Sequence, residues 1–310
     1  MELAIDSKIT LNDGHVIPQI GLGVWQARAG TACETAVLAA LEAGYRHIDT
    51  AAMYGNEESV GPAIRMSDVR RENIFVTTKL SNADHQNPER ALDTSLRKLN
   101  LDYVDLYLIH YPVPERRQSW RVLEGLQAQG KTRSIGVSNF TIRHLTELLA
   151  ETDRVPAVNQ VEFHPYLYQR DLLDFCIAKG IVIEAYSPLT HGKRLNDPRL
   201  VAVAKRYSKV GLQRRPAGRN SLLSRNSPAD LESDQRHKSS SAGHCNTSWW
   251  LFRNRPDANA SARMPMCLIL KLPKRICSSS MGLMKTSEYA GTRPTRPERG
   301  CSATLNLTLP

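Results

Sequence analysis

Asp49, Tyr54, Lys79 and His110 are the side chains of this sequence whose types and placement suit acid–base chemistry. Asp49 closes the short stretch Arg46-His47-Ile48-Asp49, and Tyr54 follows just ahead of Gly55. Lys79 comes near the end of the apolar run 73–80, and His110 ends the run 104–110. A phenol with an ordinary pKa of about 10 is a poor proton donor or acceptor at neutral pH. An ammonium within a few ångströms favours the phenolate, so Lys79 is expected to lower the Tyr54 pKa. That ammonium needs a buried carboxylate partner, which Asp49 can be. An imidazole across the pocket can orient a substrate oxygen. Such a group protonates an oxygen as it becomes an alkoxide, which is carbonyl reduction or the reverse oxidation. No side chain here supplies a hydride, so a nicotinamide cofactor is implied. Taken singly, each residue has an ordinary use: a turn carboxylate, a solvated lysine, a core histidine, a half-buried loop aromatic. Their convergence on one face of a fold is what gives the reading its force.

The elements that must position them alternate strand and helix. Residues 8–20 read as a hairpin about Asn12-Asp13-Gly14. A glycine-rich strand covers 20–25, and a helix follows with Thr31 and Glu34 as a capping box and Gly44 past its end. Asn87-Pro88 starts a helix whose Ala91, Leu92, Leu96 and Leu99 share a face. Strands are expected at 46–49, 73–80, 104–110, 132–140, 157–163 and 181–189, each followed by a helix, the last at 197–207. That alternation predicts parallel pairing and an α/β fold, a (β/α)₈ TIM barrel that is incomplete, with about seven βα units behind an N-terminal hairpin. An open doubly wound sheet is the alternative, but no Gly-x-Gly-x-x-Gly opens a helix. Barrel chemistry sits at the C-terminal ends of the strands. There the sequence places Asp49 with Tyr54, Lys79, His110 with Tyr111, Ser138 with Asn139, Gln160, and Tyr186 with Ser187.

Past about residue 210 the pattern stops. Residues 1–210 hold 25 Lys+Arg against 25 Asp+Glu, whereas residues 211–310 hold 16 against 6, so the tail carries the whole net charge of +10. Cys245, Cys267, Cys277 and Cys301 lie there too, without zinc-type spacing. The chain therefore divides into a barrel, 1–210, and a basic Ser/Arg/Pro-rich tail, 211–310, of no recognisable fold. Its composition is that of a GC-rich gene read out of frame; a disordered tail or an added domain is the alternative. Only 266–273 in the tail reads as strand-like. Scattered arginines and Trp249-Trp250 form no organised face, so no nucleic-acid partner is expected. Neither a membrane span nor a secretory leader is evident, and a cytoplasmic location is expected.

The segments GYRHIDTAAMYGNE, FVTTKL, YVDLYLIHYP, IGVSNF, NQVEFHPY and AYSPL, in this order over about residues 8–210, resemble the aldo-keto reductase superfamily. The likeness is to the prokaryotic branch that includes 2,5-diketo-gluconate reductases. The resemblance implies Tyr54 as proton donor in a tetrad with Asp49, Lys79 and His110, and no catalytic metal. It implies that Ser138, Asn139 and Gln160 hold the nicotinamide carboxamide and that Tyr186 stacks on its ring. Ser187, Pro188 and Leu189 match a segment near the pyrophosphate. Trp25 matches a pocket-lining aromatic, and Tyr111 stands where many relatives carry tryptophan. The activity implied is NADPH-dependent reduction of aldehydes, ketones or sugar-derived carbonyls by a monomer. A non-catalytic nicotinamide-binding subunit, or an inactive frameshifted product, is the alternative. Relatives continue with an eighth strand ending in an Ile-Pro-Lys-Ser-like motif, after which a downstream Arg and Asn grip the adenosine 2′-phosphate and adenine. That motif is absent at the expected distance past Tyr207, and the stretch 270–275 imitates it too late in the chain. A barrel lacking one unit is expected to leave its first and seventh strands with open edges.

Overall fold

A computed structural model describes residues 4–206 and 249–252. The boundary expected near residue 210, most of the tail, and the strand-like stretch 266–273 lie outside these residues. Strands β1 (Lys8–Thr10) and β2 (Val16–Pro18) form the expected antiparallel hairpin, with Ile9 opposite Ile17. Gly14, at φ 89°, takes the left-handed turn position that glycine occupies without steric cost. Ile9, Leu11 and Ile17 are buried with Phe75, Ala157, Val158 and Val182, which lie at or beside the N-terminal ends of later strands. The hairpin thus plugs the N-terminal end of the barrel and leaves the other end for chemistry.

Seven parallel strands follow: β3 (Ile20–Gly23), β4 (His47–Asp49), β5 (Phe75–Leu80), β6 (Val104–Ile109), β7 (Thr132–Ser138), β8 (Val158–Glu162) and β9 (Val182–Tyr186). Between them run α1 (Thr31–Glu42), α2 (Glu57–Met66), α3 (Pro88–Leu99), α4 (Arg116–Ala128), α5 (Ile142–Leu149) and α6 (Arg170–Ala178). Each boundary falls within a few residues of the sequence reading. β5 and β6 are buried at every position, because helices cover one face and the barrel interior fills the other. In α3, Asn87 accepts from the Arg90 amide and Pro88 occupies the first turn, as expected. Helix α7 (Pro198–Arg206) belongs to a second compact unit.

Two expectations are corrected. The Thr31–Glu34 capping box does not form: α1 begins at Thr31 itself, so Gly30, at φ 85°, is its N-cap. The Gly30 amide donates instead to Ser59 Oγ of α2, at 2.7 Å. The barrel also has no open seam. A short strand from the tail, β10 (Trp249–Phe252), lies antiparallel between β3 and β9 and pairs with both, closing the ring at the eighth position. Both edges offered unpaired backbone donors and acceptors, and any short extended segment can satisfy them without a βα unit of its own.

Candidate active site

Strand alternation decides which side chains enter the barrel. On β5, Thr78 turns outward to donate to Glu57 of α2, at 2.7 Å. Its neighbours Thr77 and Lys79 therefore face inward. Lys79 is fully buried and its ammonium donates to Asp49 Oδ1 at 2.5 Å, to the Thr50 carbonyl at 2.8 Å and to the Tyr54 hydroxyl at 3.2 Å. Asp49, at the end of β4, is equally buried, and its other oxygen accepts from Gln160 Nε2 at 2.9 Å. Burial pushes the Asp49 carboxyl up, and the Lys79 charge with the Lys79 and Gln160 hydrogen bonds pulls it back.

Tyr54 is held by a tight 3-10 turn, Ala52–Tyr54, that leaves β4 and ends at Gly55 in the left-handed region, φ 67°. The next residue, Asn56, is a buried clamp that sequence reasoning missed. It accepts from Thr50 Oγ1 at 2.8 Å and donates to the carbonyls of Val24 and Ala27, tying the Tyr54 turn to the loop after β3. The expectation that Lys79 lowers the Tyr54 pKa is corrected. Burial of the hydroxyl pushes it well above its ordinary value, and the negative charge of Asp49 adds to this. Tyr54 is thus a neutral phenol with a proton to give, and the ammonium beside it favours the phenolate that donation leaves behind.

His110 packs edge-on to the Tyr54 ring, with centroids 5.7 Å apart, and Tyr111 stacks on its other side at 5.0 Å. Burial, with the Lys79 charge second, holds the imidazole down to about 3, so it is neutral at physiological pH. All four expected tetrad residues therefore meet at the C-terminal mouth. Trp25 and Tyr111 stand at its rim, 39% and 40% exposed, with Trp25 edge-on to His191.

The remaining expected residues adjoin this centre. Ser138 Oγ donates to the Gln160 carbonyl at 2.9 Å, Asn139 Nδ2 to the His110 carbonyl at 3.0 Å, and the Tyr186 hydroxyl to Asn139 Oδ1 at 2.9 Å. Leu189 caps a short turn, Thr190–Gly192, that follows β9. Ser187 Oγ is buried without a hydrogen-bond partner among the described residues. Gln26, Asn139, Ser187, Thr190 and His191 all have φ between 51° and 65°, strained for residues with a Cβ. These positions follow β3, β7 and β9 and ring the same mouth. A strained rim with an orphaned hydroxyl suits a polar ligand seated there, as a dinucleotide would be.

Sequence reasoning also missed Glu184 and His47, which lie fully buried one layer deeper. Glu184 Oε1 accepts from Gln160 Nε2 at 3.0 Å, and His47 Nε2 lies 2.9 Å from Thr77 Oγ1. The signal was available: a carboxylate inside the apolar run 181–185 is unusual in a buried strand. His47, Asp49 and Glu184 bring potential ligand atoms within 4.8 Å of one another, but the Lys79 ammonium already occupies the Asp49 carboxylate.

Fold and site together define a parallel α/β barrel whose C-terminal mouth holds a buried lysine–carboxylate pair against a tyrosine hydroxyl. The aldo/keto reductase family model matches residues 19–231, and the chain belongs to that family. An aldo-keto reductase of Mycolicibacterium smegmatis is 52% identical over 211 residues, covering 66% of this chain and 76% of that protein. A methylglyoxal reductase of Yersinia pestis is 50% identical over 210 residues, 66% of this chain and 76% of that protein. The structure of a Bombyx mori aldo-keto reductase in complex with NADP superposes with a TM-score of 0.62 at 38% identity, covering 67% of this chain and 78% of that one.

Proposed function

We propose that the chain reduces small aldehydes and ketones, 2-oxoaldehydes such as methylglyoxal among them, with NADPH as the electron donor. The observation that carries this reading is the single ammonium of Lys79 in hydrogen-bond reach of both Asp49 and Tyr54. The likeness to a methylglyoxal reductase and to an NADP-bound reductase supports the substrate class and the cofactor.

In this reading Ser138, Asn139 and Gln160 hold the nicotinamide carboxamide, Tyr186 lies against the ring, and Ser187 and Leu189 border the pyrophosphate. When bound, the reduced nicotinamide supplies the hydride that the carbonyl carbon takes up. Neutral His110 hydrogen-bonds the carbonyl oxygen and sets its orientation. Tyr54 gives that oxygen its hydroxyl proton, which completes the alcohol. The phenolate left behind is stabilised by Lys79, whose own burial depends on Asp49. Trp25 and Tyr111 form the rim against which the substrate's carbon skeleton rests.

The test is NADPH consumption in the presence of methylglyoxal by the full chain and by Tyr54→Phe. Loss of the general acid should lower kcat by about 10²–10⁴-fold with NADPH binding retained. Equal rates for the two proteins, or no NADPH binding by the unaltered chain, would sink the proposal.

A further inference from the structure

Gln160 and Glu184 face each other across adjacent strands β8 and β9, in direct register. Gln160 Nε2 donates to two carboxyl groups at once, Asp49 Oδ2 at 2.9 Å and Glu184 Oε1 at 3.0 Å. An amide NH₂ has two N–H bonds to donate, one to each carboxylate oxygen, whereas the amide oxygen can only accept and would find no donor there. The two acceptors therefore settle which way round the Gln160 amide stands. Its nitrogen is committed to the barrel interior, and its carbonyl oxygen is the group left to meet a ligand.

We propose that Glu184 is a positioning residue: with Asp49 it locks the Gln160 amide so that only a hydrogen-bond acceptor is offered to the ligand, which selects a nicotinamide carrying a carboxamide N–H. This rests on the reductase reading above. Two further observations agree with it. Glu184 is fully buried and its second oxygen has no partner among the described residues, so the carboxyl group has no other visible structural task. Burial, and then the nearby Asp49 charge, push its carboxyl well up, while the Lys79 charge and the Gln160 hydrogen bond favour the carboxylate, the form that can only accept.

The probe is NADPH against its 3-acetylpyridine analogue, in which a methyl ketone replaces the carboxamide and no N–H remains. The full chain should bind NADPH about tenfold more tightly than the analogue, the worth of one hydrogen bond in a dry site. Glu184→Met, similar in length and without an acceptor, should let the amide turn and cut that preference to about threefold or less. Glu184→Gln, which keeps an acceptor oxygen at the same place, should retain it. An unchanged preference in a folded Glu184→Met protein would overturn the assignment. A second measurement needs no cofactor: solvent exchange of the Gln160 side-chain amide protons by NMR. They should be protected in the unaltered chain and faster in Glu184→Met, and equal protection would count against the proposal. If the unaltered chain binds neither nucleotide, the reductase reading fails, while the exchange measurement still decides the role of Glu184 in fixing Gln160.

Discussion

Lys79 Nζ lies 3.2 Å from the Tyr54 hydroxyl while its shorter contact, 2.5 Å, is to Asp49. The ammonium is thus spent mainly on the carboxylate that justifies its burial, and the phenol takes what remains. Burial then keeps Tyr54 protonated well past its ordinary range. For reduction this is the active form. The rate of carbonyl reduction should hold level through neutral pH and fall only in alkali, where the phenol ionises. Stopped-flow rates across pH check this; a loss of the proton-donor limb near neutrality would contradict it.

Lys79 and Asp49 are both fully buried, so removing one partner strands the other. Lys79→Met should abolish reduction and destabilise the fold by about 3–5 kcal/mol. Adding Asp49→Asn removes the stranded charge, so the double variant should recover much of that stability and none of the activity. Urea unfolding of the two proteins measures it, and equal stabilities would show that the pair carries no charge burden.

His47 and His110 are both held down to about 3, by burial first and the Lys79 charge second. An unfolded imidazole titrates near about 6.5. Between these values the unfolded chain binds more protons than the folded one, so stability is complete above the upper value and is lost as pH falls towards the lower. Each histidine contributes a slope of up to about 1.4 kcal/mol per pH unit in that window. Unfolding midpoints measured from about pH 7 to about pH 4 should drop, and His47→Gln should flatten the fall. An identical pH slope in the variant would remove His47 from the account.

Much of this was legible in the chain, and the gaps have physical reasons. Strand ends could be read because hydrogen-bonding side chains interrupt apolar runs at Asp49, Lys79 and His110. Glu184 and His47 sit two residues before such ends and face the same interior, so a reading confined to the last positions passes over them. The direction of the Tyr54 shift was misjudged because sequence names the charges near a group but not the water taken from it. β10 was missed because Trp249-Trp250-Leu251-Phe252 shows no alternation, and its partners on β3 and β9 are remote in the chain. The Thr31 cap failed because the helix begins one residue earlier than the box requires: the Glu34 amide, which Thr31 would have capped, donates to the Gly30 carbonyl at 3.1 Å.

Gly61 illustrates a position fixed by close approach. A Cβ there would meet the Leu99 carbonyl oxygen at 1.9 Å and its carbon at 2.5 Å, both backbone atoms of the last residue of α3. Backbone cannot swing aside as a side chain can, so α2 must shift away from α3. Gly61→Ala should cost at least the 1–3 kcal/mol, roughly, of an overpacked core despite its gain in helix propensity. Calorimetry decides it, and an unchanged melting temperature would mean that the helices are not packed this closely.

Closure by β10 is the remaining claim open to a direct blow. Trp250 pairs with Ile20 on one side and Ala185 on the other, and Leu251 lies opposite Glu184. A strand with neighbours on both sides cannot accommodate proline, which lacks the amide and leaves an acceptor unpaired. Trp250→Pro should therefore destabilise the barrel by about 2–4 kcal/mol more than Trp250→Ala, which keeps the amide. It should also promote self-association, since β3 and β9 then present free edges to other chains. Thermal unfolding with light scattering tests both effects together. If the proline and alanine variants melt alike and stay dispersed, the eighth position of the ring is not held by Trp249–Phe252.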